Sequence, residues 1–86
     1  MGSYQIETKR SAVKELRKLP RSMLSKIVKA VDDLSLNPYP QGVRKLAGSE
    51  DTYRIRVGDY RVLYAIIENR FIVQVIRVGH RRDVYK

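Results

Sequence analysis

The chain has 86 residues, 18 Lys and Arg against 9 Asp and Glu, and a formal net charge of +9. A chain of this size buries only about 60% of the surface its unfolded form exposes, so its apolar residues must gather in one core, and a second domain is excluded. With no cysteine and a single histidine, His80, disulfide staples and a thiolate zinc site are excluded as well, and no metal or cofactor is expected.

The longest apolar run, Val62 to Ile67, is far shorter than a membrane span or the apolar segment of a secretory signal. The chain is therefore expected to be cytoplasmic, with no membrane partner. Positive charge at this density suits polyanions: nucleic acid, acidic protein segments or anionic lipid. Charge alone does not choose among them.

Residues 1–86 read as one domain, with Met1, Gly2 and Ser3 set aside as start or cloning residues. Tyr4 to Thr8 alternates apolar and polar residues, the period of a short, half-buried edge strand. From Thr8 or Ser11, either of which can cap a first turn, Ala12, Val13, Leu16 and Leu19 fall on one face of a helix that Pro20 stops. A second helix carries Leu24, Ile27, Val28, Val31 and Leu34 on one stripe and ends at Asn37-Pro38. Joined by a Leu-Pro-Arg turn, the two predict a helical hairpin that needs a sheet to cover its apolar faces.

Tyr39 to Thr52, with its Pro and Gly signals, reads as a surface loop anchored by Leu46. Three strands follow. Tyr53 to Val57 alternates, Gly58-Asp59 turns the chain, Tyr60 to Ile67 is apolar almost throughout, and Glu68-Asn69 turns it into Phe71 to Val78. Gly79 is expected to end that strand, and His80 to Lys86 forms a basic tail. The predicted class is α+β: a helical hairpin packed on one face of a twisted antiparallel four-stranded sheet, in the order β-α-α-β-β-β.

Strand parity turns the charge into a surface. If Ile55 and Val57 face the helices, Arg54 and Arg56 project from the other side, and Arg61 on the next strand joins them. The end of the last strand delivers Arg77 or Arg81 to the same neighbourhood, depending on register. Every cation from Arg54 to Arg81 is arginine, whose planar guanidinium suits two-pronged phosphate contact. Tyr53, Tyr60, Tyr64 and Phe71 are placed in or beside the core, as aromatics in strands are. Tyr85, in a charged tail with no alternation to bury it, is a candidate for stacking on a base.

A positive groove of this kind lacks paired carboxylates, a cysteine nucleophile and a Gly-rich phosphate loop. RNA, however, carries its own nucleophile in the 2′-hydroxyl. A protein need only align that oxygen with the adjacent phosphorus and stabilise the charge that develops, which arginines can do. His80, with an ordinary pKa near neutrality, is the candidate for proton transfer, and the adjoining Arg81 and Arg82 favour its neutral form.

Four segments taken together resemble the RelE branch of the RelE/ParE toxin superfamily: Lys14-Glu15-Leu16-Arg17-Lys18-Leu19-Pro20, Lys45-Leu46-Ala47-Gly48, Tyr53 to Tyr64, and Val78-Gly79-His80-Arg81-Arg82-Asp83-Val84-Tyr85. The resemblance implies a metal-independent endoribonuclease that cuts mRNA on the ribosome, leaving a 2′,3′-cyclic phosphate and a 5′-hydroxyl. It also implies a cognate antitoxin protein as partner. Carried over, it makes Arg61 the group that stabilises the transition state, Arg81 a contact to the phosphate or leaving group, and Tyr85 a platform for the RNA. Arg54, Arg56, Lys45 and Arg82 are then the expected RNA contacts. The strand positions held by lysine in the best-known branch are Arg54 and Arg56 here, which moves the acid/base role to His80. Two other readings stand beside this one: a ParE-like inhibitor of DNA gyrase with no nuclease chemistry, and a basic RNA-binding module with no activity.

Overall fold

The computed structural model describes residues 3–80. The elements run β1 (Gln5–Thr8), α1 (Arg10–Arg17), α2 (Arg21–Leu34), β2 (Arg44–Lys45), β3 (Thr52–Val57), β4 (Tyr60–Ile67) and β5 (Ile72–His80), with a single 3-10 turn at Glu68–Arg70 before β5. The strands form one sheet in the order β1-β5-β4-β3-β2. The predicted α+β arrangement of a helical hairpin on a sheet is present, with two differences. The sheet is mixed, because β1 pairs parallel to β5, Gln5 opposite Ile72 through Thr8 opposite Val75. It also has a fifth strand, since Arg44 and Lys45 pair with Arg54 and Tyr53. Two residues inside a Gly- and Pro-marked loop show no period of their own, so only pairing with β3 makes them a strand.

The helix boundaries follow the chain's breakers more closely than its hydroxyls. Lys9, not Thr8 or Ser11, is the N-cap of α1, and it supplies no side-chain cap. Ser11 instead donates its hydroxyl to the carbonyl of Ile76 on β5, at 3.2 Å. Pro20 ends the connection and opens α2, where its fixed φ and missing N–H cost nothing; its carbonyl accepts from the N–H of Leu24 at 2.9 Å.

The core lies between the hairpin and one face of the sheet. Ala12, Ile27 and Leu34 from the helices meet Ile55, Val62, Tyr64, Ile66, Val73, Val75 and Val78 from the strands. The spacing of the three β5 valines, two and then three, has a local cause. Leu63 pairs with Arg77 but Tyr64 with Val75, so Ile76 is an extra residue in the ladder. This bulge reverses the parity of β5 and turns Val78 inward where a regular strand would have buried Arg77.

Beyond Val75, β5 has no β1 partner, and α1 covers the open edge. One oxygen of Glu15 accepts the N–H of Val78 at 2.8 Å, and the other pairs with Arg77 at 3.2 Å. A helix-borne carboxylate thus satisfies a backbone donor that the sheet leaves exposed.

A tyrosine cluster holds the loop between α2 and β2. Tyr64, wholly buried, donates its hydroxyl to the carbonyl of Pro38 at 2.8 Å. Tyr39 and Tyr4 donate to the same oxygen of Glu68, at 2.5 and 3.0 Å. The ring of Tyr53 lies between Tyr39 and Tyr64, with centroids 5.5 and 6.2 Å away. Burial pushes the Tyr64 phenol well above its ordinary range, helped by its phenolic neighbours Tyr53 and Tyr39. The hydrogen bond to Glu68 is the chief cause of a similar rise at Tyr39. At Tyr4, partial desolvation leads and Glu68 adds to it. Leu46, the anchor expected for this loop, is only half-buried; Val43 packs against the core in its place. No helix among the described residues is long and apolar enough to cross a membrane.

Candidate functional site

On the face of the sheet turned away from the helices, β2, β3 and β4 bring Arg44, Arg54, Arg56 and Arg61 around a cleft of about 260 Å³, completed by Gly42. Register explains the grouping. Arg44 stands directly opposite Arg54, and Arg56 directly opposite Arg61, so the cleft is floored by two like-charged cross-strand pairs in succession. Like charges directly opposite one another repel. An anion seated between the guanidinium groups offsets such repulsion.

The tight β3–β4 turn fixes one side of the cleft. Gly58 has φ of 62°, a left-handed conformation suited to glycine, and its carbonyl accepts the Nε–H of Arg56 at 3.1 Å. That contact orients the guanidinium while its two terminal nitrogens still carry donors. Arg54 and Arg61 are half-buried, Arg56 exposed. Gly79 of β5 stands opposite Arg61, so the last strand runs up to the rim.

The structure brings Arg54, Arg56 and Arg61 together, and adds Arg44, which sequence reasoning missed. Lys45, expected among the RNA contacts, stands opposite Tyr53, on the side of the sheet that faces the core. Its neighbour Arg44 takes the cleft position. Parity decides between the two, and the loop that carries them offered none. His80 is likewise on the other face. Strand β5 does not stop at Gly79 but runs through His80, which pairs with Tyr60 and meets its ring edge-on at a centroid distance of 5.7 Å. Arg77, an alternative fourth cation, is turned to Glu15. Of the aromatics placed in or beside the core, Phe71 is half exposed, held at φ of 54° and packed on Tyr4. Arg81, Arg82 and Tyr85 lie outside the described residues. Among the described residues no three His, Asp or Glu side chains gather into a group able to hold a metal ion.

A helical hairpin on one side of a mixed sheet and an arginine-lined cleft on the other define a small α+β domain with a cationic sheet face. Known proteins narrow this. The family model described as the ParE toxin of type II toxin-antitoxin systems matches residues 6–85. Toxin RelG of Mycobacterium tuberculosis is 38% identical over 87 residues, covering 96% of this chain and 97% of that one. The mRNA interferase toxin RelE of Escherichia coli is 31% identical over 87 residues, covering 96% and 90%. The crystal structure of the archaeal RelE-RelB complex from Pyrococcus horikoshii aligns with a TM-score of 0.83 at 29% identity, covering 95% of this chain and 99% of that one. The chain belongs to the RelE/ParE superfamily of toxins from type II toxin-antitoxin systems.

Proposed function

We propose that this toxin is an mRNA endonuclease that acts on the ribosome and is held inactive by a cognate antitoxin protein. The observation that carries the reading is the cleft itself: four guanidinium groups from three adjacent strands, converging on one face of the sheet. The E. coli relative named as an mRNA interferase and the P. horikoshii relative solved with RelB support the activity and the partner in turn.

In this mechanism the RNA 2′-oxygen attacks the adjacent phosphorus while the bond to the 5′-oxygen breaks, giving a 2′,3′-cyclic phosphate and a 5′-hydroxyl. Water accepts the proton that leaves the 2′-oxygen and supplies the one that the departing 5′-oxygen takes up, so the step is neutral in protons overall. Arg61, half-buried and therefore only partly screened by water, stabilises the charge on the non-bridging oxygens. Arg54, Arg56 and Arg44 grip the flanking phosphates and bend the strand. Arg81, Arg82 and Tyr85 remain the proposed contacts to leaving group, phosphate and base. His80, on the opposite face, is not assigned the proton transfer.

The test is to add the purified chain to translating ribosomes and map 5′-hydroxyl ends within the mRNA. Arg61→Ala should slow cutting by about 10²–10³-fold, the usual loss for one donor to a developing oxyanion. Undiminished cutting by that variant removes the site. A second reading has one observation in its favour, the description of the matched family model as a ParE toxin. Gyrase trapped on DNA with mRNA left intact would establish it.

A further inference from the structure

The helical side of the molecule carries a second concentration of charge. Residues 9–21 hold six cations, Lys9, Arg10, Lys14, Arg17, Lys18 and Arg21, and a single carboxylate, Glu15. That carboxylate is turned to β5, where it holds Val78 and Arg77. Arg10, Lys14 and Arg17, at intervals of four and three along α1, share its outward face and rim a shallow depression of about 620 Å³ with Thr8 and Val13. None of the three makes an ion pair among the described residues.

At the N-termini the charges also run against the helices' own electrostatics, whereas Lys14 and Arg17 occupy the last turn of α1, where cations are favoured. A helix N-terminus is partially positive and is stabilised by acidic residues. Yet α1 opens with Arg10 and α2 with Arg21, neither first turn holds an acid, and α2 closes on Asp32 and Asp33 with no base in its last turn. Selection for stability alone would not place Arg10 and Arg21 at these ends.

We propose that the outward face of α1 is a second RNA-binding surface, gripping the sugar-phosphate backbone of structured RNA separately from the arginine cleft. Three observations favour RNA duplex over other polyanions. Surfaces that hold single strands interleave cations with aromatic rings for stacking, and residues 9–21 contain no aromatic. Recognition there is through phosphates alone, as in shape-based reading of duplex RNA. Helices that bind lipid surfaces sink an apolar face into them, whereas the apolar face of α1, Ala12 and Leu16, is packed into this molecule's own core. Finally, a cleft of about 260 Å³ is smaller than the usual pocket for even a drug-sized ligand. A chain with a net charge of +9 has most of its affinity for a large RNA to place elsewhere. The surface needs no cutting by the cleft, so the proposal stands apart from the nuclease reading.

The experiment measures binding of the full chain to a labelled RNA duplex across a range of salt concentrations, for the parent and for Arg10→Gln/Lys14→Gln/Arg17→Gln. Three lost phosphate contacts should flatten the slope of log affinity against log salt by about 2 to 3. The charge-conserving Arg10→Lys/Arg17→Lys should keep the parent slope. If the triple variant fails to fold, Lys14→Glu, at an exposed position of α1, should flatten the slope by about 0.7 to 0.9, one contact's share. An unchanged slope overturns the proposal. So does a loss that falls on Arg54→Gln/Arg61→Gln and spares the α1 variant, which would place the duplex in the cleft. Binding to phosphatidylserine vesicles or polyglutamate tighter than to the duplex overturns it too, since lipid or acidic protein would then be the occupant.

Discussion

Tyr64→Phe tests how the fold holds the cleft. Tyr64 is wholly buried, and its hydroxyl donates to the carbonyl of Pro38, itself a buried residue, at 2.8 Å. Phenylalanine fills the same space and keeps the stacked contact with Tyr53, so no large cavity opens and the transfer term is small. What is lost is one hydrogen bond, worth roughly 0.5–1.5 kcal/mol net, together with part of the 1–3 kcal/mol that a buried acceptor costs without its donor. The expected destabilisation is about 2 kcal/mol, which for a domain of this size lowers Tm by roughly 10 °C. Urea unfolding should show a lower midpoint at unchanged m-value. The same bond ties down the loop that delivers Gly42 and Arg44 to the cleft, so RNA binding should weaken at temperatures where the variant is still folded. A Tm within about 1 °C of the parent would refute the reasoning, because the loop would then owe its position to other contacts.

Alkali should destabilise the fold steeply. The phenols of Tyr4, Tyr39 and Tyr64 are all held above their ordinary value, so the unfolded chain gives up these protons first; stability is whole below about pH 10 and falls as pH climbs above it. Urea midpoints should drop less over that range in Tyr39→Phe/Tyr64→Phe than in the parent, and identical slopes would rule the phenols out. Gly58→Ala forces an alanine to φ of 62° and brings its Cβ to 3.2 Å from the Met23 Cε. The flexible methionine tip can yield, leaving a backbone cost of about 1–2 kcal/mol in thermal unfolding. Glu15→Gln keeps an acceptor for Val78 but loses the charge on Arg77, a partly solvated pair, and should cost under about 1 kcal/mol. Glu15→Ala bares the β5 edge as well and should cost more in the same urea assay.

The helices, the strand parity and three of the four cleft arginines could be read from the sequence because each is a local pattern: a stripe at helical spacing, or Arg54 and Arg56 alternating with Ile55. What escaped was non-local. Arg44 reaches the cleft only because a two-residue strand pairs with β3, and Lys45 leaves it for the same reason. The parallel partnership of β1 and β5 joins segments more than sixty residues apart, and no turn signal announces it. The extra residue at Ile76 shifts which side of β5 faces the core, and the strand's continuation through Gly79 carries His80 away from the arginines it was expected to serve. Glycine is a fair stop signal, but backbone pairing with Tyr60 and Arg61 overrides it here.

The position of β5 has a consequence for synthesis. It is the last described element to be made, yet it sits inside the sheet between the first strand and β4, and it contributes Val73, Val75 and Val78 to the core. A nascent chain lacking that strand has nothing for β1 to pair with and an incomplete seat for the hairpin. Closure waits on contacts of long sequence separation, which form slowly. On a translating ribosome the domain therefore stays unfinished until nearly all of the described chain has emerged, and the cleft strand β4 gains its inner neighbour only then.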